Sequence, residues 1–138
     1  MLETARKERA IGSPLEAAVV ITPTSGADAC ADVLHRLGSR QLADVCLTSQ
    51  ASVGATAQEE LAQSPFRFTS EADVEVVVND AEVAQKVVID VVAASGAKCV
   101  RCWQYTAARS DGDVSLADRL CPRCTAAIAA SPALSGAV

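Results

Sequence analysis

Aromatic side chains are nearly absent from this chain of 138 residues, which has one Trp, one Tyr and two Phe. Its core must therefore be built from Ala, Val, Leu and Ile. Each of these buries little area at about 25 cal/mol per Å², so the main body is expected to be modestly stable. Histidine occurs once, as His35, in a stretch that reads as an amphipathic helix. No serine, cysteine or carboxylate is spaced to make it catalytic. There is no Gly-rich phosphate loop of the Walker type. No apolar run of about 18 residues is present to span a bilayer, so no membrane partner is expected. Met1 leads into a charged helix rather than a signal peptide, and the expected location is the cytoplasm.

Cysteine is the residue type in which the chain is rich. Of six cysteines, Cys99, Cys102, Cys121 and Cys124 form a C-x2-C-x18-C-x2-C array. Two thiolates three positions apart in a tight turn can point at one cation, and a returning loop brings the second pair round to complete a tetrahedron. That spacing predicts one Zn²⁺ per chain in a four-thiolate structural site. The alternatives are two disulfides or four unrelated core cysteines. Cys30 and Cys46 fall on apolar faces and read as buried core thiols, and a reducing compartment suits all six.

Around these thiols the charges are unusual for the chain. Net charge is −5, which argues against a polyanionic partner, yet Lys98, Arg101, Arg109, Arg119 and Arg123 give residues 98–124 an excess of cations over Asp111, Asp113 and Asp118. Lys98, Arg101, Arg119 and Arg123 lie within two residues of a thiol. They can offset the charge of a tetrathiolate, or they can meet phosphates from a basic tip on an acidic body. Trp103 follows the second cysteine directly. It is expected to cover one side of the metal; the alternative is a stacking platform for a nucleotide base.

The run Gly96-Ala97-Lys98-Cys99-Val100-Arg101-Cys102-Trp103-Gln104-Tyr105, followed by Leu120-Cys121-Pro122-Arg123-Cys124, resembles the C-terminal zinc finger of bacterial isoleucyl-tRNA synthetase. Leu2-Glu3-x-Ala5-Arg6 and Ile11-Gly12-Ser13-x-Leu15-Glu16-Ala17 resemble the last helix of that family's anticodon-binding domain and its exit. Leu42 to Gln50 resembles the strand that follows. Two positions depart from the family pattern: Gln104 stands where a histidine is usual, and Leu116-Ala117-Asp118-Arg119 stands where a His-Pro pair is common. Neither removes a metal ligand. The family's two ATP-binding signatures have no counterpart here. The resemblance therefore implies a tRNA-contacting part of a ligase with no catalytic site of its own. Its partners would be tRNA, specifically tRNA-Ile, and the rest of the synthetase, with RNA contacts from Lys98, Arg101, Trp103, Arg119 and Arg123. The competing readings are a free-standing zinc-finger module that binds nucleic acid or protein, and the product of a truncated gene. The finger pattern also relates to formamidopyrimidine-type DNA glycosylases, but their N-terminal catalytic proline is missing after Met1.

Periodicity predicts an α+β fold, a small sheet with packed helices followed by a zinc ribbon-like finger of four cysteines. Residues 1–14 read as the remnant of the anticodon-binding helical domain, with a helix over 2–10 stopped by Gly12. Its apolar face is expected to lack its usual partner. Residues 15–95 form the body, 96–130 the finger and 131–138 a disordered tail. Within the body, 16–22 reads as a strand. A helix capped by Ser25 runs to Leu37 and ends at Gly38. Val45–Ser49 and Val53 read as strand, and 54–72 as loop or short helix. Two valine-rich strands, Val74–Val78 and Val87–Ala93, are separated by Asn79-Asp80 and a short helical stretch.

Overall fold

The computed structural model describes residues 1–54, 58–109, 115 and 117–131. Residues 132–138 of the expected tail lie outside the described residues, as do Asp111, Asp113 and Leu116. Helix α1 (Leu2–Lys7) is followed by a 3₁₀ turn at Pro14–Glu16, where Ser13 accepts a hydrogen bond from the Leu15 N–H. Then come β1 (Ala17–Pro23), α2 (Asp28–Cys46), β2 (Gln50–Val53), α3 (Gln58–Gln63), β3 (Arg67–Val78) and β4 (Ala81–Ala93). The sheet order is β2-β1-β4-β3. β1 and β2 run parallel across the α2 crossover, and β4 is antiparallel to both of its neighbours. The expected α+β body is present.

β4 is the central element, and its sequence shows why. Val87, Val91 and Val92 are buried, and a strand apolar on both faces must be covered on both. On one face Val19 and Val91 pack with Ala5 of α1, Ile11 and Phe68. On that face too, Val87 packs with Ala27, at the N-cap of α2, and with Cys30 and Leu34 of that helix. Ala18, Val20 and Val92 fill the opposite face with Leu61 of α3. Helix α1 is thus partnered inside the chain, with Ala5 fully buried, where its apolar face was expected to be orphaned. It also stops at Lys7 rather than at Gly12, through a left-handed Arg9.

Three more expectations of local structure fail. Ser25 does not cap α2, which starts at Asp28 with no side-chain cap. Gly38 (φ 72°, ψ 159°) is non-helical and ends the first helical segment of α2 as expected; a second segment follows it directly and buries Leu42 and Ala43 against Ala51. The strand expected over Val45–Ser49 is therefore the end of α2 and a turn. Val45 and Leu47 point outward, 74% and 72% exposed, and the strand begins at Gln50. The helical stretch after Asn79-Asp80 is instead the start of β4. Both turn residues are left-handed (φ 50° and 62°), the geometry of a two-residue hairpin turn, which pairs Val78 with Ala81 and zips residues 67–78 against 81–92. Within 54–72 the short helix is α3, while 67–72 belong to β3.

A charged residue sits in this core. Asp90, 1% exposed, faces Arg67 with Nε to Oδ1 at 2.8 Å and Nη2 to Oδ2 at 3.2 Å, and it also accepts from the Thr69 hydroxyl. Burial pushes its carboxyl up, but these hydrogen bonds outweigh that and hold it below the ordinary carboxylate value. Its contribution to stability is thus present in full above the ordinary carboxylate range and is lost as pH falls through the lower folded value. Asp90→Asn should destabilise the protein by about 1–3 kcal/mol at neutral pH. In urea unfolding curves the gap between variant and parent should close on acidification; a gap independent of pH would exclude the carboxylate as its source.

Candidate metal centre

From Ala93 the chain leaves the sheet and enters a separate ribbon, β5 (Ala97–Lys98) paired antiparallel with β6 (Tyr105–Ala107). The loop between them is the first cysteine knuckle. The Cys99 N–H donates to the Gln104 carbonyl at 2.8 Å and the Trp103 N–H to the Cys99 carbonyl at 2.9 Å, closing the turn. Trp103 takes a left-handed conformation (φ 66°) to do so, at a cost of about 1–2 kcal/mol for a residue with a Cβ. The second knuckle leads into α4 (Pro122–Ala129), with Cys121 at its N-cap and Pro122 in its first turn. Proline suits that position because its missing N–H would have no helical partner there. The Val100 N–H donates to the Arg119 carbonyl at 3.2 Å and ties the two knuckles together.

The four sulfurs of Cys99, Cys102, Cys121 and Cys124 lie within 4.8 Å of one another. Cys99, Cys121 and Cys124 are buried and Cys102 is half-buried. All are free thiols, and the Cys102 and Cys121 sulfurs are 3.7 Å apart, so the alternative of two disulfides does not hold. Beyond the sulfurs, the described residues of this part bury only Ala107, with Ala97 and Leu120 packed beside it. Backbone N–H groups are aimed at the thiols. The Cys121 N–H reaches the Cys99 sulfur at 3.3 Å. Burial pushes the Cys99 thiol up, but backbone hydrogen bonds from Cys102, Cys121 and Arg101 overcome it and bring the group down to about 6. Cys121 is also lowered, against its burial, by bonds that include the Cys124 backbone. Cys102 is pushed up to about 12 by burial and by the neighbouring thiols. The Cys99 thiolate thus forms readily, whereas Cys102 loses its proton only with a cation beside it. A buried, convergent set of four sulfurs with N–H donors fits a tetrahedral metal ion.

Lys98, Arg101, Arg119 and Arg123 are all exposed around this cluster. Trp103 does not cover the metal position as expected. It is 62% exposed, and the Lys98 ammonium sits 5.1 Å from its ring centroid, within the range of a cation–π contact. Cys30 and Cys46 lie in the core of the body, apart from the cluster, and burial raises both thiols. His35 is exposed on α2.

Three residues that position the site stand in the motifs of the resemblance, but their docking role had no signal in the sequence. The Ser49 hydroxyl accepts the Tyr105 N–H at 2.7 Å and donates to the Leu15 carbonyl. Gln50 accepts the Ser95 N–H at 2.9 Å and donates to the Ser95 hydroxyl at 3.1 Å. These bonds dock the ribbon onto the start of β2. Gly96 passes so close to β6 that a Cβ there would lie 2.4 Å from the Tyr105 carbonyl oxygen. Only glycine fits.

No protein-family model matches the chain. It is 35% identical over 136 residues to the chloroplastic/mitochondrial isoleucine--tRNA ligase of Arabidopsis thaliana, covering 96% of this chain and 11% of that protein. It is 35% identical over 127 residues to the isoleucine--tRNA ligase of Staphylococcus saprophyticus, with coverages of 92% and 11%. Against the isoleucine--tRNA ligase of Thermosynechococcus vestitus it is 36% identical over 135 residues, with coverages of 93% and 12%. The chain spans about a tenth of the length of these relatives.

Metal analysis of the purified chain should give one tightly held divalent ion, retained in the Cys30→Ala, Cys46→Ala double variant and lost in Cys102→Ser. Structural sites of this kind contribute on the order of 10 kcal/mol to their module, so chelation should unfold the ribbon while the four-stranded sheet persists. Gly96→Ala should lower metal retention without touching a ligand; full retention in that variant would mean that β6 can move away at no cost to the centre.

Proposed function

We propose that this chain, homologous to a segment of the isoleucine--tRNA ligases, is the C-terminal, zinc-binding and tRNA-contacting part of such an enzyme. The observation that carries this reading is the four-sulfur cluster rimmed by exposed cations, in a chain that aligns with these ligases over about nine tenths of its length. Zinc is the metal that a closed four-thiolate set takes most commonly. When bound it supplies a cross-link in place of a hydrophobic core. Residues 1–14 then correspond to the end of an anticodon-binding domain, 15–95 to the body and 96–130 to the finger, in the cytoplasm.

In this reading the chain's own residues hold and orient tRNA-Ile, and catalysis belongs to the rest of the enzyme. Lys98, Arg101, Arg119 and Arg123 have exposed side chains able to meet phosphates, and their charge also offsets that of the thiolates. Trp103, with its ring exposed and Lys98 beside it, is suited to stack on an unpaired base, a contact worth about 1–3 kcal/mol. The acidic body repels the RNA backbone and so favours approach through the finger.

Binding of tRNA should be weak and salt-sensitive, with a slope of log K against log salt of about −2 to −4 for two to four neutralised phosphates. Arg101→Glu and Arg123→Glu should each weaken it while zinc stays bound. Trp103→Gly separates the two roles of that residue: it relieves the left-handed strain and should leave zinc in place, yet should cost about ten-fold in tRNA affinity through lost stacking. Unchanged affinity in all three variants would leave the cations as thiolate counter-charges only. No isoleucine-dependent exchange of pyrophosphate into ATP is expected from this chain alone.

A further inference from the structure

Among the described residues, no strand lies beside the outer edge of β3. β3 is the terminal strand of the sheet, twelve residues long, or about 40 Å at 3.3 Å per residue. An open edge of that length offers a row of unpaired backbone N–H and C=O groups to any extended chain. Its side chains alternate strictly. Ala72, Val74 and Val76 are half-buried toward α2, while Glu71, Asp73 and Glu75 are exposed on the other face. Lys86 pairs with Glu71 at 3.4 Å and stands directly across from Asp73 in the register, so one cation faces these three acids from β4. β1 pairs with β4 only from Val87 onward, so over residues 73–78 and 81–86 the hairpin is a two-stranded ribbon. Exposed Val77 and Val83 near its tip add apolar surface.

We propose that this edge receives an extended polypeptide segment in which Lys or Arg alternates with aliphatic residues, added as a fifth strand beside β3. Charge complementarity selects this occupant. A second copy of β3 would bring Glu71, Asp73 and Glu75 beside the same residues of its neighbour, and like charges across paired strands repel. The same row of carboxylates turns nucleic acid away. In an added strand, alternate side chains fall on opposite faces. The basic ones would lie beside the three acids and the aliphatic ones beside Ala72, Val74 and Val76. The main-chain ladder supplies affinity and the alternation supplies selectivity.

The test uses the whole metal-loaded chain and three synthetic ten-residue peptides: alternating Lys/Val, alternating Glu/Val, and a Lys/Val peptide of the same composition with its lysines clustered at one end. Fluorescence anisotropy should show salt-sensitive binding of the first peptide only. Amide hydrogen exchange should slow within Glu71–Val76 when it binds. Reversing the row (Glu71→Lys, Asp73→Lys, Glu75→Lys) should weaken that peptide by about ten-fold and admit the Glu/Val peptide. Equal binding of the clustered peptide, binding with no protection in β3, or self-association of the parent chain through β3 would each overturn the proposal. So would an absence of binding to the unmodified chain, which does not depend on whether the triple variant folds.

Discussion

Four sulfurs converge on one point in a ribbon that has almost no core of its own, and this convergence is the constraint on which the C-terminal part depends. Beside the thiols, its described residues bury one alanine, too little area to offset the entropy of ordering some thirty residues. The pair of two-residue and three-residue strands could not hold together by itself. The opposed thiol shifts express the same fact. Cys99 near 6 and Cys102 near 12 describe a cluster that can carry partial charge unaided and needs a cation to carry it all.

That constraint reaches the body through a few hydrogen bonds. Ser49 and Gln50 stand where α2 ends and β2 begins, and both reach the ribbon at Ser95 and Tyr105. The turn after α2 therefore has two tasks: it starts the parallel strand beside β1, and it sets the orientation of the metal ribbon. On the other side, β4 runs from the core straight into Ser95 and Gly96. A cation rim on a free ribbon would point anywhere. Docked in this way it follows one end of β4, while the hairpin turn with β3 lies at the other end of that strand. The net charge of −5 conceals this separation.

Trp103 shows how local backbone can reverse the role that composition predicts. A lone tryptophan next to a ligand in an aromatic-poor chain reads as the cover of a small core. The knuckle, however, requires a left-handed residue after its second cysteine, and that conformation swings the ring into solvent beside Lys98. Glycine would hold that backbone conformation with less strain.

The sequence by itself determined the four converging thiols and the α+β character of the body. It also determined the resemblance to isoleucyl-tRNA synthetase, because thiol spacing and short-range motifs survive translation into structure with little dependence on context. β1 and the two valine-rich strands were legible for the same reason, since a run of β-branched residues is a local signal. Tertiary structure decided the rest. Gly38 stops the first helical segment, but only tertiary packing shows that a second segment follows at once, with Leu42 and Ala43 buried against Ala51 of β2. Val45 and Leu47 look like strand and lie exposed at the end of a helix, because the parallel register of β2 with β1 begins later, at Gln50. The residues after Asp80 have no strong strand pattern, and only pairing across a two-residue turn draws them into β4. The docking roles of Ser49, Gln50 and Gly96 were invisible for the deepest reason: each depends on how closely two distant segments approach, and no one-dimensional pattern records that distance.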